Sequence, residues 1–265
     1  SIKDLDTVIS IKKKNAEAYL LRGFYYRELH EYENAILDQK KAIKYSSDNE
    51  NLIDKCSFLY NLPSKGKPLI EIDNYYDAGS YFPYPYFIIG HCYYRLGEYE
   101  EAIKYFNLAD EKLKTKYYNV EFFRGLSNYT LGNYKSAYED FAICYENSGS
   151  LSQFKLLSLI LLADCYWFSG NVKEADYRYS MLFMEFPYYS YGFTENEVEK
   201  YKDISALNHW SIVFYRRSQF DFLTYRNTKW DNFSKIMGYI NKALYLNPNI
   251  LEFHSLKIEI LEEYE

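Results

Sequence analysis

Four histidines and four cysteines in 265 residues leave little material for a metal centre or a redox pair. His30, His91, His209 and His254 stand apart, and no H-E-x-x-H brings two of them onto one helical face. His91 and Cys92 adjoin, but neighbours on a helix point about 100° apart, so they do not form a nucleophile and its base. Neither G-x-x-x-x-G-K nor a dinucleotide fingerprint is present, which removes the usual phosphate cradles. The sequence therefore offers no catalytic constellation, and neither enzyme activity nor a cofactor is expected. Basic charge is also short: 31 Lys and Arg against 37 Asp and Glu give a net charge of -6, so a surface that neutralises nucleic-acid phosphates is not expected. The longest apolar run, Leu156 to Phe168, falls below the roughly 20 residues that span a bilayer, and no signal peptide is read. No membrane span is expected, and a cytoplasmic location is the default.

Tyrosine (33) and phenylalanine (18) are abundant, and they recur in order. "RLGEYEEAIKYF" from Arg95 returns as "TLGNYKSAYEDF" from Thr130, "FSGNVKEADYRY" from Phe168 and "ELHEYENAILDQ" from Glu28. Each copy has a turn residue (Gly97, Gly132, Gly170 or His30), a bulky residue two later, Ala five later and a large side chain nine later. Upstream, Tyr86, Ile89, Gly90 and Tyr93 share one helical face, as do Leu159, Leu162, Ala163 and Tyr166, and Tyr19, Gly23 and Tyr26. The small residue of each set, Gly23, Gly90, Gly125 or Ala163, marks a seam where a second helix comes close. Each unit reads as a helical hairpin.

These residues resemble the tetratricopeptide repeat family, whose signature is W-x2-L-G-x2-Y, then A-x3-F, then P. The resemblance implies an all-α fold, a right-handed superhelical solenoid of helix-turn-helix hairpins. Residues 1–14 are expected to be a partial repeat, with repeats at 16–47, 83–116, 118–149 and 156–187 and a degenerate one at 50–82. An irregular helical region at 194–248 and a capping or partial-repeat helix at 249–264 would complete a single solenoid. The copy at 118–149 carries Glu121, Arg124 and Asn128 where large apolar residues are usual. Thr194 and Glu197 suggest a capping box for a helix reaching about Arg217.

Cys92 and Cys165 each fall two residues after a seam residue, and Cys144 replaces a small alanine, so all three read as core. Two repeats, or about 20 Å at ~10 Å per helix, separate Cys92 from Cys165, too far for a shared metal or disulfide. The resemblance places a concave groove along the first helices, lined by residues three before and one, four and five after each seam residue. That stripe holds Leu20, Phe24, Arg27 and Glu28, then Phe87, His91, Tyr94 and Arg95, then Phe122, Leu126, Tyr129 and Thr130, then Ile160, Asp164, Trp167 and Phe168. The Lys, Asn and Arg clamp by which some family members hold a C-terminal carboxylate is missing, as is their Asn ladder, whose positions carry Leu21, Ile88, Phe123 and Leu161. The expected role is a scaffold that takes an apolar or aromatic peptide or amphipathic helix of another protein. The alternative is a segment of a larger enzyme or membrane-associated assembly whose groove its own chain fills, with Phe186 to Phe193 as the candidate cover. The sequence does not set an oligomeric state.

Overall fold

The computed structural model describes residues 1–46, 85–112, 118–147, 153–185, 204–225 and 232–264, and every regular element among them is helical. Two compact units divide the chain, Ser1–Gly149 and Ser150–Glu265. The first contains α1 (Ile2–Ile11), α2 (Ala16–Glu28), α3 (Tyr32–Tyr45), α4 (Pro85–Arg95), α5 (Tyr99–Lys112), α6 (Tyr118–Thr130) and α7 (Tyr134–Asn147). The second contains α8 (Gln153–Phe168), α9 (Val172–Glu185), α10 (Ile204–Tyr225), α11 (Phe233–Leu246) and α12 (Leu251–Tyr264). The degenerate repeat expected at 50–82, the Phe186 to Phe193 segment and the Thr194/Glu197 capping box lie outside the described residues.

Hairpins α2–α3, α4–α5, α6–α7, α8–α9 and α10–α11 are the main packing pairs, and in the first unit each hairpin also rests on the next. The turn residue decides where the first helix of a hairpin stops. Gly97, Gly132 and Gly170 have φ of 80°, 78° and 81°, the left-handed region that glycine enters without a Cβ penalty. The following amide then reaches back five residues: Glu98 to the Tyr93 carbonyl at 2.9 Å, Asn133 to Asn128 at 2.9 Å and Asn171 to Tyr166 at 2.8 Å. His30 does the same work at φ 61°, with Glu31 donating to the Tyr26 carbonyl at 2.8 Å. An L side chain is strained there, and its one local return is an exposed 2.8 Å hydrogen bond between His30 Nδ1 and the Tyr32 hydroxyl. His30→Gly is expected to raise stability by about 0.5 kcal/mol, and Gly132→Ala to lower it by about 1 kcal/mol. Paired thermal melts check both, and a melting temperature that falls on His30→Gly would show that the hydrogen bond outweighs the backbone strain.

The seams close as tightly as the small residues allow. A Cβ on Gly90 would lie 2.9 Å from the Phe106 ring and 3.3 Å from the Ala102 carbonyl, and one on Gly125 would lie 2.8 Å from Phe141. Opposite these seams, Ala35, Ala102, Ala137 and Ala175 are fully buried. Phe106, Phe141 and Tyr179 fill the same place in successive hairpins, while α3 has Gln39 there, whose amide donates to the Leu20 carbonyl at 3.0 Å.

Charged side chains tie helices across the gaps between hairpins. Arg22 binds Asp38 of its own hairpin at 2.6 and 2.9 Å and reaches Asp6 of α1 at 2.6 Å. Arg124, at the same repeat position, binds Asp140 of α7 at 2.7 Å and Asp110 and Asn107 of α5 at 3.0 Å each. This is why Arg124 stands in a slot that usually takes an apolar residue. Glu121 beside it is 1% exposed. Burial, with the Asp110 and Asp140 carboxylates nearby, pushes its pKa up.

In the second unit α10 runs to Tyr225, beyond the end near Arg217 suggested by the sequence. Arg217 and Asp221 pair across one turn at 2.9 Å, and Arg217 also meets Asp176 of α9 at 2.8 Å, so the start of the added stretch, about two turns long, is tied back to α9 through Arg217. Ser211 and Ser218, both fully buried, give α10 a small-residue line, and Ser218 donates to the Ile236 carbonyl of α11 at 3.1 Å.

Candidate peptide-binding surface

In the first unit α2, α4 and α6 touch in a row, so the predicted stripe residues of these first helices lie on one face. Their exposure differs with depth along each helix. Leu20, Arg27, Phe87, His91 and Phe122 are buried, at 1%, 8%, 7%, 3% and 3%. Phe24, Tyr94, Leu126 and Tyr129 are half-buried, and Glu28, Arg95 and Thr130 are exposed. The stripe is thus accessible mainly at the ends of the helices, beside the turns.

The burial has a definite cause. Phe123 of α6 inserts against α4, edge-on to His91 at 4.9 Å and Tyr94 at 5.5 Å, and 6.1 Å from Phe87. Phe106 stacks on it from α5 at 6.3 Å. Phe123 occupies a place where the other hairpins carry Leu21, Ile88 and Leu161. The exchange of leucine or isoleucine for a ring was the one available sign that this position anchors its neighbours. Arg27 turns inward, with its guanidinium 5.0 Å over Phe24 and bonded to Glu28 at 2.6 Å.

Beside the turns a tyrosine pair repeats. Tyr94 at the end of α4 meets Tyr99 at the start of α5 edge-to-face at 5.7 Å, and Tyr129 of α6 meets Tyr134 of α7 in the same way at 5.7 Å. All four rings are half-buried, which fixes their apolar bodies in place while leaving part of each accessible. Arg95 lies next to the first pair, its guanidinium 5.6 Å over Tyr32. Partial burial pushes the Tyr94 phenol pKa up, so it remains a neutral hydrogen-bonding group.

In the second unit α8 and α10 are adjacent, and α10 takes up much of the stripe. Ile160 and Asp164 are buried, at 3% and 1%. Asp164 accepts from the Tyr179 hydroxyl and pairs with Arg216 of α10 at 3.4 Å. Trp167 is half-buried against Phe220 of α10 at 5.4 Å, and Phe168, 42% exposed, stacks on Trp167 at 5.1 Å. The nearly all-apolar α8 therefore finds cover within its own unit.

Cys92, Cys144 and Cys165 are free thiols with no exposure. Burial pushes the Cys92 pKa up to about 12 and raises that of Cys165, which keeps both thiols protonated and poorly nucleophilic. No described helix is long and apolar enough to cross a membrane.

Hairpins with a small-residue seam, a left-handed turn and hairpin-to-hairpin stacking define a helical repeat protein. Residues 16–49 and 83–109 match models of the tetratricopeptide repeat. A TPR repeat-containing protein of Methanocaldococcus jannaschii is 24% identical over 225 residues, a match spanning 69% of this chain and 39% of that protein. Among solved structures, YrrB, described as a TPR protein with an unusual peptide-binding site, is similar with a TM-score of 0.58 at 15% identity. That match covers 97% of this chain and all of YrrB (100%). PilW, a type IV pilus biogenesis factor, has a TM-score of 0.50 at 14% identity over 96% of this chain and 87% of its own. These likenesses establish the helical-repeat fold.

Proposed function

We propose that the chain is a non-enzymatic protein-interaction scaffold that holds an apolar or aromatic segment of another protein along its first helices. The repeated tyrosine pairs carry the reading. Tyr94/Tyr99 and Tyr129/Tyr134 hold the same geometry in successive hairpins, half-exposed, where a peptide crossing the hairpins would meet one after the other. Rigid aromatic rings of this kind supply contact area at low entropic cost and commonly form the energetic centres of interfaces. Phe24, Leu126, Arg95 and Thr130 flank them. A cytoplasmic site of action belongs to the same reading, supported by the free buried thiols.

A peptide display selection against the full chain tests it. Selected peptides should be enriched in apolar and aromatic residues. Tyr94→Ala with Tyr129→Ala should weaken their binding at least tenfold, about 1.4 kcal/mol, with helicity retained. Peptides that bind the folded double variant as well as the wild type would sink the tyrosine surface. A second reading, occupation in cis, is favoured for the second unit alone, because Phe220 and Arg216 of α10 already lie on Trp167 and Asp164.

A further inference from the structure

Glu121 is the acid that the ion-pair network of the first unit leaves out. It sits four residues before Gly125, the place that Tyr19, Tyr86 and Leu159 take in other hairpins, so an ionisable group stands where large side chains pack. The residue is 1% exposed, and its Oε2 is buried without a hydrogen-bond partner. Arg124, one turn along the same helix, does not serve it. The Nε and Nη2 of that guanidinium donate to Asp140 at 3.1 and 2.7 Å, and Nη1 donates to Asp110 and Asn107 at 3.0 Å each. Every nitrogen of the fork is thus committed to a neighbouring helix. Asp110 from α5 and Asp140 from α7 both act on Glu121, with Arg124 as the opposing charge. The other charged groups around α6 are turned elsewhere: Glu111 and Lys112 pair with each other at the end of α5, Glu139 of α7 acts on Asp140, and in α4 His91 lies against Phe123 and Arg95 over Tyr32. Burial is the largest influence on Glu121 and raises its pKa, a hydrogen bond with its own amide lowers it, and Asp110 raises it by more than Arg124 lowers it.

We propose that Glu121 is a pH-operated latch on the α5–α6 joint: protonated, it lies neutral beside the two aspartates, and ionised, it sets a third negative charge against a guanidinium with no nitrogen left for it. A buried neutral oxygen without a partner costs far less than a buried charge without one, so the closed joint favours the protonated acid. An acid of this kind contributes stability that is full below its unfolded pKa and is lost as the pH rises through the folded one. Opening between α5 and α6 hydrates the ionised carboxylate and is the relief available to it. Strong acid acts in the opposite direction, by removing the carboxylate charges that hold Arg124, so the joint is tightest between the two limits. Tyr94 and Tyr99 lie on the hairpin before this joint and Tyr129 and Tyr134 on the hairpin after it, so a movement here changes the spacing of the two pairs. The latch itself stands whether or not that surface binds a peptide.

Carboxyl-carbon NMR of the full chain, with labelled glutamate side chains assigned through the backbone, should give Glu121 a titration midpoint above those of the exposed glutamates. Glu121→Gln puts a neutral side chain of nearly the same shape in its place. In paired thermal melts from pH 4 to pH 8 the variant should gain on the wild type as the pH rises. Across the whole titration the gain should be roughly 3–5 °C for each pH unit by which the Glu121 midpoint exceeds that of the exposed glutamates. Amide exchange at matched pH should then show α5 and α6 opening more often in the wild type than in the variant. A Glu121 midpoint among those of the exposed glutamates, or a melting difference that stays constant with pH, would overturn the latch. Equal exchange of α5 and α6 in the two proteins at pH 8 would overturn its assignment to this joint. The NMR titration uses the wild type alone, so a variant that does not fold leaves the proposal open to refutation.

Discussion

Gly90→Trp is expected to lower the stability of the first unit by about 3 kcal/mol, at the upper end of what overpacking ordinarily costs. The reason is the space opposite. A single Cβ at this position already comes within 2.9 Å of the Phe106 ring, and Phe106 has no exposure and rests on Phe87 at 5.9 Å. Phe123 closes the other side of that ring. An indole has nowhere to go unless α4 and α5 separate, and separation would expose Ala102, Phe106 and Ala109 together. At roughly 2–4 °C per kcal/mol for a unit of this size, the melting temperature should fall by about 10 °C. Gly90→Ala should cost about a third as much, because one methyl group displaces the ring less. A Gly90→Trp protein melting with the wild type would mean that the seam does not pass through this residue.

Arg124→Met should cost about as much or more, about 3–5 kcal/mol at neutral pH, because it strands a buried charge. Asp140 is 5% exposed and receives two nitrogens of the Arg124 fork, while Asp110 receives a third. The sign of the pH dependence follows. Burial raises the Asp140 pKa and Arg124 pulls it back down. Without the arginine only the raising influences remain: burial and the Asp110 and Glu139 carboxylates. An acid whose folded pKa exceeds its unfolded one contributes stability while protonated and loses it as the pH rises through the folded value. The deficit of Arg124→Met should therefore be greatest at pH 7 and shrink as the pH falls toward the ordinary carboxylate range near 4. Glu121, also raised, shifts in the same sense. Thermal melts of variant and wild type from pH 7 to pH 5 check this, and a deficit constant across that range would assign Arg124 a packing role alone.

How far the sequence can be read depends on whether the reason for a residue lies on its own helix. Gly90, Ala102 and Phe106 are readable because seam, turn and ring repeat at fixed spacing, and the left-handed φ at Gly97, Gly132 and Gly170 is written in the glycine itself. Arg124 and Glu121 were visible only as exceptions, since the Asp110 and Asp140 carboxylates that hold Arg124 come from helices before and after, and periodicity describes one helix at a time. The same limit hid the depth of the stripe: spacing put Phe87 and His91 on the right face of α4 but could not show Phe123 lying over them. In α10 the small-residue line is made of serines seven apart, which a glycine and alanine template passes over.

The joints of the first unit are not made of the same material. Arg22 with Asp6 and Arg124 with Asp110 fasten α1 to α2 and α5 to α6 by ion pairs, whereas among the described residues α3 meets α4 mainly through apolar Ile36, Ile88, Ile89 and Cys92, with Lys40 donating to the Tyr93 hydroxyl at 2.9 Å. Each kind of joint answers to a different stress. Acid protonates the carboxylates and slackens the outer two, while cooling weakens the middle one as the hydrophobic drive fades. Acid and cold thus loosen different joints of the same unit.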